Sequence, residues 1–475
     1  MIDLHKLTIQ EAWKHLQNKD FTAKDLTLSY LSRIKEVNSD INAYLEVYDD
    51  AIKQAEEADK RIANGEKSPL LGIPLAIKDN ILIKGKKATS SSKILEGFVA
   101  PYDATVIKKL KEAGAIFLGR VNMDEFAMGG STENSAFGVT KNPIDLTRVS
   151  GGSSGGSIAA VAMDGALASL GSDTGGSVRE PASFCGVVGL KPTYGGVSRY
   201  GLMALGSSLD VIGPITKTAT DSEILFNCIK GVDTMDSTTY KETTYPKSVV
   251  KDQMVIGVPY HILNNDGMSK EAREVFDSSI EKLKGLGFEI RDISLPNIEY
   301  SLAVYYIIMP AEASSNLARF DGVRFGMHKD GDNLLEDYVK TRGEGFGKEV
   351  RRRILIGTYV LSAGYHDAYY NKALKLRSKI SKDFERAFNE VDAIITPTTT
   401  GPAFKIGEKA NNPLSLYLED IFTVPANIVG IPAISIPSGT VSIDGKNLPL
   451  GLQIMSKHNA ENILFHISKK FLGEV

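Results

Sequence analysis

The sequence predicts a layered α/β fold built around a large, mostly buried sheet. Helix-like segments alternate with short apolar strand-like segments along most of the 475 residues, and this alternation is typical of such folds. The composition, with 42% hydrophobic and 24% charged residues, is that of a globular enzyme. A chain of this length buries roughly three quarters of its unfolded surface, so it needs neither a disulfide nor a metal to fold.

The first 65 or so residues are predicted to be helical. Thr8-Ile9-Gln10-Glu11 has the spacing of a capping box at a helix N-terminus. Thr22-Ala23-Lys24-Asp25 opens a second helix, with apolar residues at helical spacing behind it. A third helix is expected from about 50 to 63, and Asn64-Gly65 is a typical C-cap for it.

Strands alternate with helices beyond this region. An apolar run from Leu70 to Ile77 predicts a buried strand that ends at Lys78. Helix-then-strand units are expected at 104–119, 269–293 and 376–395, and the last strands and helix at 433–436, 451–455 and 459–471. The segment from about 300 to 389 is mainly helical and is expected to cover the sheet. Because no linker or repeat interrupts these units, we expect a single domain over 1–475.

Composition and charge exclude several classes of function. A net charge of −3, from 55 basic and 58 acidic residues, is unlike the concentrated basic surface of nucleic-acid binders. The short cluster formed by Lys348 and Arg351-Arg352-Arg353 is typical of a solvated helix face. Cys185 and Cys228 lack paired spacing, which indicates free thiols in a reducing compartment. With no signal-like start and no apolar run of ~20 residues, the sequence predicts a soluble, cytoplasmic protein.

Two glycine-serine clusters, at 150–157 and 171–177, are the most unusual feature of the chain. They flank apolar segments, whereas flexible linkers lie between domains in polar surroundings. Neither cluster has the lysine of a phosphate-binding loop or the spacing of a dinucleotide-binding loop. Tight turns account for the glycines but not for serines in both clusters. In a catalytic loop, glycines let successive backbone N–H groups converge on one carbonyl oxygen, with Ser177 Oγ within attacking distance.

A serine nucleophile needs a base, and Lys78 is the best candidate for it. None of the seven histidines lies beside either cluster, and the sequence around Ser177 does not fit the Gly-x-Ser-x-Gly elbow. Lys78 follows a buried strand, and burial lowers a lysine pKa by up to ~3–5 units. A neutral lysine is a competent base near pH 7. Taken alone, Lys78 is better explained as a lysine that reaches solvent from a strand end.

These motifs together identify a family. Gly151–Ser157, Gly171–Ala182 and the upstream Gly72–Asn80 closely resemble the motifs of the amidase signature family. The resemblance is long and specific, and it spans nearly the whole chain. It implies the family fold, which is a large mixed central sheet covered by helices on both faces.

The resemblance also implies a Ser-cis-Ser-Lys triad. In such a triad, neutral Lys78 takes a proton from Ser153, which takes one from the nucleophile Ser177. The backbone amides of Thr174, Gly175, Gly176 and Ser177 are then expected to hold the oxyanion, and water hydrolyses the acyl-enzyme. Three neighbouring residues are expected to order the loops rather than to do chemistry: Ser154, Asp173 and Arg179.

Three further segments, Asn122–Glu133, Ala313–Gly322 and Glu344–Val350, resemble one branch of the family. This branch comprises the A subunits of bacterial glutamyl-tRNA(Gln)/aspartyl-tRNA(Asn) amidotransferases. The resemblance implies a glutaminase whose ammonia passes to a B subunit, which uses ATP and magnesium to amidate misacylated tRNA. A small C subunit braces the pair. No cofactor or metal is expected in this chain itself.

The same resemblance assigns a glutamine-binding role to three residues. Arg353 is expected to bind the α-carboxylate and Asp420 the α-ammonium, as suits their charges, and Tyr305 is expected to supply a hydroxyl. From the residues alone, each has a structural alternative as a solvated arginine, a surface acid or a core aromatic. Two rival functions are a free-standing amidase acting on other small or apolar amides and a non-catalytic scaffold. The presence of Lys78 and both serines argues against the scaffold.

Overall fold

A computed structural model of the protein describes residues 2–241, 244–245, 248–263, 267–409 and 413–474. Within these residues the strands are β1 Tyr44–Val47, β2 Pro74–Lys78, β3 Ile116–Val121, β4 Ala168–Asp173, β5 Val188–Lys191, β6 Val211–Thr216, β7 Val255–Val258, β8 Glu289–Asp292, β9 Ala393–Pro397, β10 Ala433–Ile443 and β11 Lys446–Met455. They form one 11-stranded sheet in the order β1-β3-β2-β4-β6-β5-β10-β11-β9-β7-β8. Strand β2 is parallel to both of its neighbours, whereas β10 is antiparallel to both of its own. The predicted mixed α/β sheet is therefore confirmed.

The helices that cover the sheet alternate with its strands as expected. They are α1 Ile9–Asn18, α2 Ala23–Ile41, α3 Ala51–Ala63, α4 Thr105–Glu112, α5 Gly155–Ala162, α6 Arg179–Cys185, α7 Ala219–Ile229, α8 Lys270–Gly285, α9 Ser301–Asn316, α10 Leu334–Gly345, α11 Lys348–Leu361, α12 Lys372–Ala387, α13 Pro413–Tyr417, α14 Val424–Val429 and α15 Glu461–Leu472. Thr8 and Thr22 form capping boxes at the starts of α1 and α2. Among the described residues, no helix combines the length and apolarity needed to cross a membrane. The single domain expected over 1–475 stays a prediction, and residues 1 and 475 lie outside those described.

The sequence analysis did not predict β5, β6 or β7, and two further features of the sheet also differ from it. The N-terminal region, expected to be helical, also contains β1, which pairs antiparallel with β3. This pairing depends on Gly119 in β3, because a Cβ there would lie 2.1 Å from the Glu46 carbonyl oxygen. Strands β10 and β11 form one long hairpin rather than two short strands, since Asp444 and Gly445 adopt the positive φ angles of a tight turn. An Asp-Gly pair between alternating residues is a hairpin signal that the sequence analysis missed.

Helices α9 and α11 form a closely packed pair beside the sheet, in the segment between 300 and 389. Their approach is close because a Cβ on Gly357 of α11 would lie only 1.9 Å from the carbonyl oxygen of Pro310 in α9. Tyr305 lies on α9 and Arg353 on α11. The spacing between these two helices therefore decides where the two side chains lie relative to each other.

We expect Gly357→Ala to destabilise the protein, because the added methyl group must push α11 away from the backbone of α9. Overpacking of this kind costs ~1–3 kcal/mol. Gly343→Ala in α10 is the matched control, since a Cβ there meets nothing within 4 Å and alanine favours a helix by roughly 0.5–1 kcal/mol. Thermal unfolding followed by circular dichroism should show a lower midpoint for Gly357→Ala only. An unchanged midpoint would contradict this account of the packing.

Candidate active site

Lys78 is the last residue of β2, and its side chain is fully buried. Its Nζ lies 2.9 Å from Ser153 Oγ, 2.8 Å from Ser154 Oγ and 2.9 Å from Ser172 Oγ. Burial lowers the pKa of Lys78 to about 7, although the charge of Asp124 acts in the opposite direction. The amine is therefore largely neutral at slightly alkaline pH. The two serine clusters and the upstream lysine, which the sequence analysis linked, lie together in the structure.

The three hydroxyl groups around Lys78 have different hydrogen-bond partners. Ser154 Oγ donates to the carbonyl oxygen of Ser172 at 3.0 Å, so its proton is already engaged. Ser172 Oγ accepts a second hydrogen bond from Asn80 Nδ2 at 3.0 Å. Among the described residues, Ser153 Oγ contacts Lys78 Nζ alone. Because a neutral amine has one lone pair and two N–H donors, Ser153 is the hydroxyl best placed to give it a proton. The Gly152–Ser153 peptide bond is cis.

Ser177 lies between β4 and α6 and is 8% exposed. Its carbonyl oxygen accepts a hydrogen bond from Ser154 N at 3.1 Å, which ties the two glycine-serine clusters together. The Asp173 carboxylate organises the loop that precedes Ser177. It accepts hydrogen bonds from Gly176 N at 3.0 Å and Val178 N at 3.2 Å. Ser177 is thus held in a loop whose backbone conformation is fixed on both sides.

Asp173 is itself held by a buried ion pair with Arg179. Arg179 Nε and Nη2 each donate to this carboxylate at 3.0 Å, and Asn427 Nδ2 donates at 2.9 Å. Burial raises the pKa of Asp173, but the Arg179 charge outweighs it and lowers the pKa to about 2. Asp173 therefore stays charged over the working pH range. Both residues order the loop, as the sequence analysis expected.

The glycines before Ser177 are required by close contacts. A Cβ on Gly175 would lie 2.7 Å from the ring of Tyr305, and Gly176 has a φ of +144° with Thr423 Oγ1 only 2.2 Å from its Cβ position. Gly176 N–H is engaged by Asp173, which differs from the expectation that four successive amides face a substrate. Of those four, Thr174, Gly175 and Ser177 are left as candidates for an oxyanion pocket. Asp173, three residues before Gly176, could have predicted this difference, because an aspartate side chain at that spacing can accept a hydrogen bond from the backbone.

Tyr305 lies against this loop, and Arg353 lies beside the neighbouring Tyr306. Tyr305 is buried, and its ring packs against Gly175. Arg353 is only 4% exposed, and its Nε donates to Glu349 Oε1 at 2.7 Å. The guanidinium lies 5.6 Å from the ring centre of Tyr306. Burial opposes the charge of Arg353, but these neighbours raise its pKa well above the ordinary value.

The two Nη atoms of Arg353 donate to no oxygen atom of the described residues. Among the described residues, Nη2 donates no hydrogen bond, and Nη1 contacts the sulfur of Met309 alone, at 3.8 Å. A charged, buried donor pair of this kind is ready for a carboxylate. The predicted solvated basic face holds for Arg351 and Arg352, which are exposed, and is wrong for Arg353. Tertiary packing against α9 buries this third arginine.

Asp420 is partly buried near the same arginine. Its Oδ2 accepts a hydrogen bond from Tyr306 Oη at 3.1 Å. Burial raises the pKa of Asp420 to about 7, against the opposing effects of Tyr306 and Arg353. Tyr306 thus links the two charged groups, because its hydroxyl donates to Asp420 and its ring lies beside the Arg353 guanidinium.

Sequence reasoning missed three residues that surround the Arg353 guanidinium: Tyr306, Glu349 and Tyr417. Tyr306 and Tyr417 stack with ring centres 4.1 Å apart, and Tyr417 Oη donates to Glu349 Oε1 at 2.8 Å. Glu349 could have been found, because it stands four residues before Arg353 on one helix. The two tyrosines come from distant segments, and the sequence contains no local signal that joins them.

The fold and these motifs define the class of protein. A sequence profile of the family described as Amidase matches residues 25–465, and the chain belongs to that family. It is an amidase-type enzyme.

Individual relatives are more specific. The A subunit of glutamyl-tRNA(Gln) amidotransferase from Thermoanaerobacter pseudethanolicus is 54% identical, with 99% of this chain and 96% of the relative covered. The protein of the same name from a Clostridium botulinum strain is 52% identical, with 99% and 97% covered. The predicted resemblance to A subunits of tRNA-dependent amidotransferases is confirmed.

Solved structures agree with this placement. A crystal structure of the glutamyl-tRNA(Gln) amidotransferase A subunit from Thermotoga maritima has a TM-score of 0.81 and 44% identity, covering 99% of this chain and 95% of that one. A peptide amidase from Stenotrophomonas maltophilia has a TM-score of 0.82 at 26% identity, with 99% and 97% covered. The same fold is thus shared by amidases that differ widely in sequence.

Proposed function

We propose that this chain hydrolyses glutamine to glutamate and ammonia, and that the ammonia serves the amidation of Glu-tRNA(Gln) or Asp-tRNA(Asn) by a partner subunit. The observation that carries the proposal is the buried Arg353, whose Nη atoms donate to no carboxylate among the described residues and whose neighbour Tyr306 donates to Asp420. A fixed cation and a carboxylate on either side of one tyrosine suit the zwitterionic end of an amino acid. The names of the relatives point to the same substrate chemistry.

The reaction begins when the Ser177 hydroxyl attacks the side-chain amide carbon of glutamine. Ser153 takes the proton of Ser177 while passing its own to neutral Lys78, the only protein group that contacts Ser153 Oγ among the described residues. The free amides of the Thr174–Ser177 loop donate to the oxyanion, an effect worth ~10²–10³ in rate per donor. The protons then return through Ser153 to the leaving ammonia. Water hydrolyses the acyl-enzyme by the same path in reverse.

In the proposed complex, the α-carboxylate and α-ammonium of glutamine lie away from the serines. Arg353 pairs with the α-carboxylate through its two Nη atoms, and Asp420 in its ionised form receives the α-ammonium. Tyr305 lies between this charged end and Gly175, where its hydroxyl meets the substrate. This arrangement disfavours purely apolar amides, because they would cover the two Nη groups of Arg353 without supplying an acceptor for their N–H donors.

Partner subunits supply the remaining chemistry. A B subunit binds ATP and magnesium and carries the misacylated tRNA, and a C subunit braces the pair. The chain's own glycine-rich loops support this division, because both are engaged in positioning serines rather than phosphates. No cofactor or metal is assigned to the chain itself.

Ammonia release from glutamine tests the proposal directly. We expect the full chain to release ammonia at a rate that rises sharply when B and C subunits, ATP and misacylated tRNA are added. Ser177→Ala should abolish release while the thermal midpoint stays unchanged, because the hydroxyl is the nucleophile. Hydrolysis of apolar amides without any glutamine turnover would favour the free-standing amidase instead.

The pH dependence should report Lys78. Because its amine must be neutral to accept a proton and its pKa is about 7, kcat/KM should rise with pH through about 7 and level off above it. A small neutral amide is the right substrate, since Asp420 also ionises near pH 7 and would add its own effect to glutamine binding. Lys78→Ala should lower kcat by ~10²–10⁴. A flat profile from pH 5 to 9 would contradict the role of Lys78.

Arg353→Ala should raise the KM for glutamine far more than the KM for a neutral amide. Loss of charge-assisted hydrogen bonds worth ~1.5–3 kcal/mol corresponds to about 10- to 100-fold. Arg351→Ala is the matched control, because that side chain is exposed and donates to the carbonyl oxygen of Gly343 rather than to Glu349. Equal effects of Arg353→Ala on both substrates would reject its role as carboxylate anchor.

A further inference from the structure

The two ends of a bound glutamine are held by two different parts of the fold. The amide end lies against the serine loops at the ends of β2 and β4. The charged end lies against the α9–α11 pair, which carries Tyr305 and Arg353. The distance between these two parts decides where the amide carbon sits relative to Ser177. A segment that ties one part to the other therefore affects the reaction without touching the substrate.

Asp124 contacts the loop that contains Ser153. Its backbone N–H donates to the carbonyl oxygen of Ser153 at 3.2 Å, and its Oδ2 accepts from Thr132 N at 2.9 Å. The carboxylate also fills the space beside Gly152, where a Cβ would lie 2.1 Å from Oδ2. Asp124 thus holds the backbone on both sides of the Gly152–Ser153 bond.

Glu125, the next residue, contacts the N-terminus of α11. Its carboxylate is 2% exposed, and its Oε2 accepts a hydrogen bond from Gly347 N at 2.8 Å. Gly347 is the N-cap of α11, the helix that carries Arg353. Ser92 Oγ donates to the other oxygen, Oε1. Glu125 therefore caps the start of α11, the helix that carries Arg353. The residue before it, Asp124, is hydrogen-bonded to Ser153.

Phe126 continues this bridge with apolar contacts. Its ring lies 5.7 Å from the ring centre of Phe346 and 4.9 Å from that of Phe320. Its φ is +48°, in a region that bulky residues rarely adopt and that costs ~1–3 kcal/mol. Asp124, Glu125 and Phe126 thus connect the loop around Ser153 to the start of α11. The surrounding contacts must impose the backbone conformation of Phe126.

We propose that Glu125 is a positioning residue that fixes Arg353 at the right distance from Ser153 and Ser177. This inference rests on the proposed glutaminase function. Arg353 lies six residues beyond Gly347 on a continuous helix, which at 1.5 Å per residue is about 9 Å. A shift at the capped end of α11 therefore moves the guanidinium. A misplacement of ~1 Å at a reacting centre costs about 10²-fold in rate.

Two substitutions at Glu125 separate positioning from packing. Glu125→Gln keeps the shape, because its amide oxygen accepts from Gly347 N while its NH₂ group donates to Ser92 Oγ. Ser92 can then donate to the carbonyl oxygen of Gly345, which lies 3.3 Å away. Glu125→Met keeps the volume but leaves the N-terminus of α11 without its acceptor.

Steady-state kinetics of the full chain with its partner subunits gives the readout. We expect Glu125→Met to lower kcat/KM for glutamine about 10- to 100-fold, through both kcat and KM, and to change that for a small neutral amide at most about threefold. Glu125→Gln should restore the glutamine value to within about threefold of the wild type. Equal losses on both substrates, no loss at all, or failure of the glutamine variant to rescue would overturn the proposal.

Asp221→Leu is the matched control. Asp221 is a buried carboxylate that caps the N-terminus of α1 through Ile9 N at 2.9 Å and Gln10 N at 3.3 Å, and α1 contributes no residue to the site. We expect the thermal midpoint of Asp221→Leu to fall as that of Glu125→Met does. Its kcat/KM for glutamine and for the neutral amide should change equally. If Glu125→Met does not fold, Ser92→Ala carries the test, with a smaller change in the same direction. Failure of the glutaminase proposal would appear separately, as absent glutamine turnover in the wild type.

Discussion

Lys78 ends a strand that is parallel to both of its neighbours, and its amine therefore lies where no solvent reaches. Burying an ammonium ion without a counter-charge is costly, and the fold meets this constraint by lowering the lysine pKa to about 7. Three serine hydroxyls surround the nitrogen, and both glycine-serine clusters must approach β2 to supply them. The central sheet, the two loops and the tight contacts at their glycines all serve this one arrangement.

A second buried cation in the same region is handled in the opposite way. Arg179 cannot lose its proton, so it is paired with Asp173, whose pKa falls to about 2. The pair uses its charge to hold the backbone around Ser177, with Asn427 as a further donor. Lys78 can be neutral because it has no direct carboxylate partner among the described residues. Arg179 stays charged and has a structural role because it is paired with Asp173.

In the proposed function, chemistry and recognition are carried by different parts of the molecule. The serine loops belong to the sheet, and the peptide amidase comparison shows that this fold persists at 26% identity. The residues proposed to bind glutamine belong to α9 and α11, which pack beside the sheet, and to the segment around Asp420. Substrate choice can therefore change through the helices while the serine loops stay in place, provided that a connection such as Glu125 keeps the two parts in register.

The sequence by itself determined the features that depend on neighbouring residues. The capping boxes at Thr8 and Thr22, the helix-then-strand units and the glycine-serine loops all follow from local patterns. The family motifs added Lys78 and the two serines as a group. The apolar runs predicted β2, β3, β8 and β9, whereas β5, β6 and β7 were not predicted. The Asp-Gly hairpin was predictable but overlooked.

Only the tertiary structure decided which of these groups remain free to act. The burial of Arg353, the tyrosines around it and the engagement of Gly176 by Asp173 could not be derived from periodicity. Strand β1 likewise forms only because Gly119 admits its backbone. The reason is the same in each case: the deciding contacts join segments that are far apart in the chain, and their free energy depends on desolvation and on space that local sequence does not encode.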